Sequence, residues 1–139
     1  MKRLTHMPNS TGRGAVFNCT RGQYLATCLE VASNPWTRLR GLIGRSAKQF
    51  PQGSGLWIVP CRGVHTWAMS FPIDVAYLTR DNIVVHLEQG LSPWRFAPVR
   101  MKAASVLELP ENTLIATGTT IGDQLEFQDF PQEKPPGHD

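Results

Sequence analysis

At 139 residues the chain is the size of one domain, large enough to bury more than half of the surface its unfolded form exposes. Apolar residues make up 41% and charged residues 18%, which excludes a disordered or fibrous chain. A formal charge of +3, from 14 Lys and Arg against 11 Asp and Glu, is far from the clustered excess of a nucleic-acid binder, so nucleic acid is not an expected partner.

Residues 1–13 are polar and aperiodic and read as a flexible leader. The start, MKRLTHMPNSTGRGAV, is charged but lacks the apolar core of a signal peptide. No run of about 18 apolar residues follows, so no membrane span and no membrane partner are expected. Cys19, Cys28 and Cys61 are an odd number at wide spacing with no CxxC pair, which fits free thiols in a cytoplasmic protein.

Ala15–Cys19 and Gln23–Val31 read as a hairpin around a turn at Thr20, Arg21 and Gly22. Alternation puts Leu25, Thr27 and Leu29 on one face and Tyr24, Ala26, Cys28 and Glu30 on the other, with Cys28 expected as a small buried hydrophobe. A short helix follows: Ser33 or Asn34 caps it, Pro35 suits its first turn, Trp36, Leu39, Leu42 and Ile43 recur at helical spacing, and Gly44 ends it. Arg38, Arg40 and Arg45 offer an anion-binding edge or, more blandly, a solvated face with cations at the helix end.

After a loop at 48–55, LWIVP reads as a buried strand and VHTWAM as the next, with His65, Trp67 and Met69 on one face. Pro72 breaks the pairing, and a strand resumes with Asp74 at its mouth. Residues 79–82 turn into IVVHLEQ. The loop 90–99 carries Trp94 and Phe96, which are expected to be pinned to the core; an exposed Trp94 would instead offer a dimer contact. KAASVLEL forms a strand, Pro110, Glu111 and Asn112 open a short helix ended by Gly118, and Gly122 and Asp123 turn into the last strand. The tail 130–139 is Pro-rich, charged and expected to be disordered. Roughly eight short strands at this spacing describe a mainly β (α+β) single domain over 14–129, sandwich-like or barrel-like, with one or two short helices.

The stretch from Pro60 to Leu78 concentrates the residues able to do chemistry. His65 hydrogen-bonded to Asp74 would be an oriented base, and Cys61 with His65 and Asp74 would be a thiolate, imidazole and carboxylate donor set. No nucleophile elbow and no Gly-rich phosphate loop accompany them, and Asp74 serves equally well as a cap for backbone N–H groups. Trp67 and Met69 beside His65 would line a partly apolar pocket, with Arg38, Arg95 or Arg100 holding an acidic group. No cofactor and no metal are expected.

TRLRGLIGR, GLWIVPCRGVHTWAMSFPIDVAYL, LSPWR, VLELP and IGDQLEF together resemble the family named domain of unknown function 192 (DUF192), over about residues 25–128. The family's R-x-x-G-L-M pattern falls on Arg38, Gly41, Leu42 and Ile43, with Ile in place of the usual Met. Its Met, Pro and Asp fall on Met69, Pro72 and Asp74, its Glu-Leu-Pro on Glu108, Leu109 and Pro110, and its Gly-Asp on Gly122 and Asp123. The resemblance implies a small mainly β fold of jelly-roll or barrel kind with a short helix near the N-terminal third, and it implies no reaction or cofactor. The leading expectation is therefore a binding module for a small acidic ligand or a partner protein, using Arg38, His65, Trp67, Met69, Asp74 and Arg95. The alternatives are a metal-assisted or acid/base hydrolytic enzyme using His65 and Asp74, or a purely structural role for these residues.

Overall fold

The computed structural model describes residues 2–3, 14–34, 37–38, 41–66 and 68–129. Ten strands run in chain order: β1 (Lys2–Arg3), β2 (Gly14–Asn18), β3 (Gln23–Ala32), β4 (Ser54–Ile58), β5 (Val64–His65), β6 (Ile73–Leu78), β7 (Val84–Leu91), β8 (Phe96–Ala97), β9 (Ser105–Pro110) and β10 (Leu125–Asp129). Eight of them form one sheet in the order β1-β10-β2-β3-β4-β9-β6-β7, and β5 and β8 form a two-stranded ribbon. Among the described strands, only β3 and β4 pair in parallel. A bridge from Ile83 to Gln124, with the Leu125 N–H donating to the Asn82 carbonyl at 2.9 Å, ties the start of β7 to the start of β10 and curls the sheet into a barrel-like half-cylinder. The mainly β, barrel-like expectation holds.

Strands β6 and β9 are buried at every position, which is why IDVAYL and SVLELP read as nearly continuous apolar runs instead of clean alternations. Their two faces feed two separate cores. The inner face carries Ala76, Leu78, Leu107 and Leu109, which pack with Val16, Trp57 and Phe127 inside the curl. The outer face carries Val75, Tyr77 and Val106, covered by Leu42, Phe50, Met69 and Phe71 from the connecting segments.

Helix α1 (Thr113–Thr117) plugs the inner core with Leu114 and ends at Gly118, whose φ of 67° suits glycine. Its N-cap residue Asn112 is left-handed and makes no side-chain cap. Asp74 caps the helix in its place. One carboxylate oxygen accepts the Leu114 N–H and the other accepts the Gly90 N–H, both at 2.9 Å. Gly90 sits at φ 61°, and a Cβ there would meet a Glu111 carboxylate oxygen at 3.1 Å. Asp74 thus fastens the helix and β7 to β6.

Four local expectations change. In the first hairpin a register shift between Val16 and Phe17 breaks the alternation, and the Thr27 and Cys28 N–H groups both donate to the Gly53 carbonyl. Leu25 and Ala26 are consequently both buried, and Cys28 is exposed instead of buried. The strand expected over VHTWAM stops at His65, because the Thr66 hydroxyl donates to the Ser92 carbonyl while its oxygen accepts the Arg95 N–H, and Ala68 adopts φ 58°. Helical geometry near residue 38 ends at Gly41, with φ 47°, earlier than Gly44. Trp94 and Phe96, expected to be buried against the core, are exposed. Lys2–Arg3 pair with β10, and the rest of the expected leader, like the tail 130–139, lies outside the described residues.

Asp74→Ala leaves two N–H groups without their acceptor, and each such loss costs about 1–3 kcal/mol. Urea unfolding should therefore show a loss of roughly 2–4 kcal/mol, with Asp74→Asn losing less. A loss below about 0.5 kcal/mol would contradict the fastening role.

Candidate functional site

On the outer face, beneath the covering segments, lies a cavity of about 40 Å³, enough for a small group of waters or the head of a ligand. Its floor is Glu108 of β9. Because side chains alternate along a strand, Leu107 and Leu109 turn inward and Glu108 turns outward, where it is 3% exposed. Arg38 enters from the helical turn that begins at Asn34, whose Oδ1 accepts the Thr37 N–H at 2.9 Å. Its guanidinium donates from Nη1 to the Pro60 carbonyl at 3.1 Å. Cys61 and His65 come from the chain running into β5, and Met69, Leu42, Ile43 and Ile58 supply the apolar wall.

The lining is unusual in its unmet polar demand. Six buried side-chain polar atoms lack a hydrogen-bond partner among the described residues, and three of them, Arg38 Nε, His65 Nδ1 and Glu108 Oε2, belong to this one cavity. Buried polar groups are ordinarily satisfied, so such a concentration points to a place built for a polar guest. Burial pushes the Glu108 carboxyl up to about 8, and the positive charge of Arg45 opposes the rise only in part, since Arg45 is committed to a two-armed pair with Glu30 at 2.7 and 3.0 Å. With its carboxyl raised to about 8, Glu108 is mostly protonated at pH 7 and has one hydrogen to offer a guest. Burial also raises the Cys61 thiol, which donates to the Gly63 carbonyl at 2.9 Å.

The structure gathers some of the expected site residues and separates others. Arg38, His65 and Met69 line the cavity together with Cys61 and Glu108. Asp74 pairs in register with Leu109 and so belongs to the inner face, across the sheet from His65. The His65–Asp74 pair expected for an oriented base does not form, because successive residues of β6 point to opposite sides. Arg95 lies outside the cavity and is exposed. Arg100 is also outside it, with Nη2 at 3.2 Å from the His86 ring. Trp67 lies outside the described residues, as does Arg40. Among the described residues, no three His, Cys, Asp or Glu side chains approach closely enough to hold a metal ion. No helix among them is long and apolar enough to cross a membrane.

Asp123 also has a holding role. Burial alone would raise its carboxyl, but hydrogen bonds from Arg21, Asn18 and the Thr120 N–H, with the Arg21 charge, outweigh it and keep the group below the ordinary aspartate value. It locks the turn before β10 to the first hairpin.

The family model for DUF192, described as an uncharacterised ACR, matches residues 16–127. The chain belongs to the DUF192 family. No curated protein matches it. Among solved structures this DUF192 chain is similar to a candidate transcription regulator from Sinorhizobium meliloti, with 21% identity, a TM-score of 0.73, and 88% of this chain and 97% of that one covered. It is also similar to a protein of unknown function from Novosphingobium aromaticivorans, with 19% identity, a TM-score of 0.70, and 81% and 82% of the two chains covered. At such identities the likeness shows the shared fold and nothing about a ligand. Two of the DUF192 motif acids, Asp74 and Glu108, are buried, yet on opposite faces of the sheet and with opposite degrees of satisfaction.

Unfolding exposes Glu108, which then ionises near its usual 4.5. Between that value and about 8 the folded chain binds more protons than the unfolded one, so stability falls as pH rises through this window and is fully retained below it. Glu108→Gln removes the dependence. The variant should gain roughly 3–5 kcal/mol relative to the parent between about pH 5 and about pH 9 in urea unfolding. An unchanged difference across that range would show that Glu108 is not held neutral. In a thiol-reagent titration of the native protein at pH 8, exposed Cys19 and Cys28 should react at least about tenfold faster than Cys61.

Proposed function

We propose that this protein is a binding module whose outer-face cavity takes the carboxylate of a small acidic ligand. The observation that carries the reading is the trio of unpartnered buried polar atoms, Arg38 Nε, His65 Nδ1 and Glu108 Oε2, in a single cavity. A carboxylate answers two of them at once. It accepts from the Arg38 guanidinium, which supplies the charge, and from the Glu108 hydroxyl, which supplies a donor without a competing negative charge. His65 donates a third bond from whichever ring nitrogen carries the proton. Met69, Leu42 and Ile43 offer an apolar contact for the carbon next to the carboxylate, and the small volume limits the guest inside the cavity to little more than its head.

A second reading rests on the same neighbours. A neutral carboxylic acid and an imidazole in one cavity are the parts of an acid/base pair, with Glu108 as the proton donor and His65 as the acceptor. In that case His65→Gln would abolish turnover of a bound carboxylate ester or acid while leaving its affinity nearly intact. The binding reading expects affinity and occupancy to change together.

Calorimetry and thermal shift with acetate, propionate and pyruvate, set beside inorganic phosphate, test the proposal. Carboxylates should raise the melting temperature, and the rise should keep growing with the logarithm of concentration once it exceeds Kd. Arg38→Gln should weaken binding by at least about tenfold. Raising the pH past about 8 should weaken it too, as Glu108 ionises and repels the guest. No stabilisation of the parent protein by any of these anions would overturn the reading.

A further inference from the structure

The described parts of the stretches 33–53, 59–72 and 92–104 cover the outer face and contain seven of the chain's 14 Lys and Arg and none of its 11 Asp and Glu. Charge that is evenly mixed in overall composition is thus concentrated in the cover. The same cover carries most of the exposed apolar bulk. Of seven large apolar side chains that are exposed among the described residues, four lie within residues 94–101: Trp94 at 65%, Phe96 at 69%, Val99 at 64% and Met101 at 76%.

This lip is held in place from behind. The Trp94 N–H donates to the Thr66 carbonyl at 2.8 Å, the Arg95 N–H to the Thr66 hydroxyl oxygen at 2.9 Å, and the Arg100 N–H to the Arg62 carbonyl at 2.9 Å, while β8 pairs with β5. Thr66 is fully buried. The backbone is fastened and the apolar side chains stand outward, so their exposure is a built feature of the loop. A preformed apolar lip meets a partner without the cost of ordering the chain.

Its composition narrows the partner. From Pro93 to Lys102, PWRFAPVRMK holds apolar and cationic residues only, with no acid and no neutral hydrogen-bonding side chain other than the Trp94 indole. Protein interfaces are likewise enriched in Trp, Phe, Met and Arg, but their buried centre is depleted of charge, whereas here Arg95, Arg100 and Lys102 are interspersed with the apolar residues along the lip. Single-stranded nucleic acid engages aromatic faces, and Val99 and Met101 offer none. Aromatic and aliphatic side chains at the tip with Arg62, Arg95 and Lys102 exposed around them match a surface that is hydrocarbon just below a layer of phosphate. We propose that the 94–101 lip docks this protein peripherally on anionic phospholipid bilayers, its apolar side chains entering the headgroup boundary and its cations meeting lipid phosphates. The site is distinct from the cavity and does not depend on what the cavity holds. The sequence expectation of no membrane partner rests on the lack of a spanning segment, and surface docking needs none.

The test is cosedimentation of the full chain with vesicles of phosphatidylglycerol and phosphatidylcholine, beside vesicles of phosphatidylcholine alone. Binding should be confined to the anionic vesicles, fall steeply with added salt and shift the tryptophan emission to shorter wavelength. Phe96→Ser with Met101→Ser should lower the partition coefficient by at least about tenfold, and Arg95→Gln with Lys102→Gln by about tenfold as well. Both pairs include exposed side chains only, and circular dichroism and the melting temperature should match the parent. Arg38→Gln should leave vesicle binding unchanged, which separates membrane docking from the cavity. Equal binding to neutral vesicles, no binding to either, tight binding to a single-stranded oligonucleotide without vesicle binding, or a dimer that the Phe96 and Met101 changes dissolve would each overturn it.

Discussion

A carboxyl group with one oxygen that finds no hydrogen-bond partner among the described residues sits on a strand buried along both faces. Most of the outer face follows from accommodating Glu108 there. Ionised, it would face a desolvation cost of several kcal/mol that the Arg45 charge offsets only in part, so its proton is held to about pH 8. The segments above it are positioned by contacts that leave its free oxygen alone: Arg45 is occupied by Glu30, Arg38 reaches the Pro60 carbonyl, and Cys61 turns to Gly63. A cavity with unmet donors and acceptors remains between floor and cover.

The two acids of the central strands show what the same burial does under different local supply. Asp74 faces the inner core, where a helix without a side-chain cap and a bulged neighbouring strand each present an N–H, and it satisfies both. Glu108, on the adjacent strand and the opposite face, is presented with none. One acid therefore holds the barrel together, and the other is left with binding capacity. The division of labour extends to the whole sheet, whose inner face is closed around an apolar plug while its outer face carries the cavity, the basic cover and the exposed lip.

The architecture is more legible in the sequence than the site is. Turn residues at Gly22, Asn82, Gly118 and Gly122 mark real turns, and the separated motifs from Arg38 to Asp123 identify the family, because both signals are local. Arg38, His65 and Met69 are legible as candidates, and the fold brings all three to one cavity. Asp74 falls beside His65 only if a strand runs on through Thr66, whose buried hydroxyl instead ties the chain to the 92–95 loop. Glu108 has a faint signal as a site residue. It is a single acid inside an otherwise apolar strand, VLELP, and only the sheet register shows that this acid points away from Asp74. The exposure of Trp94 and Phe96 is likewise hidden, since apolar residues in a loop read as pinned until the hydrogen bonds that splay the loop are known.

Whether Glu108 keeps its proton can be read from a site-resolved titration of its side-chain carboxyl by carbon-13 NMR, assigned by comparison with Glu108→Gln. A midpoint near 8 that moves upward, out of the accessible range, when a carboxylate ligand is added is the result expected of a buried neutral acid that binds a carboxylate. A midpoint in the ordinary glutamate range, near 4.5, would contradict it and return Glu108 to the role of a hydrated or paired acid.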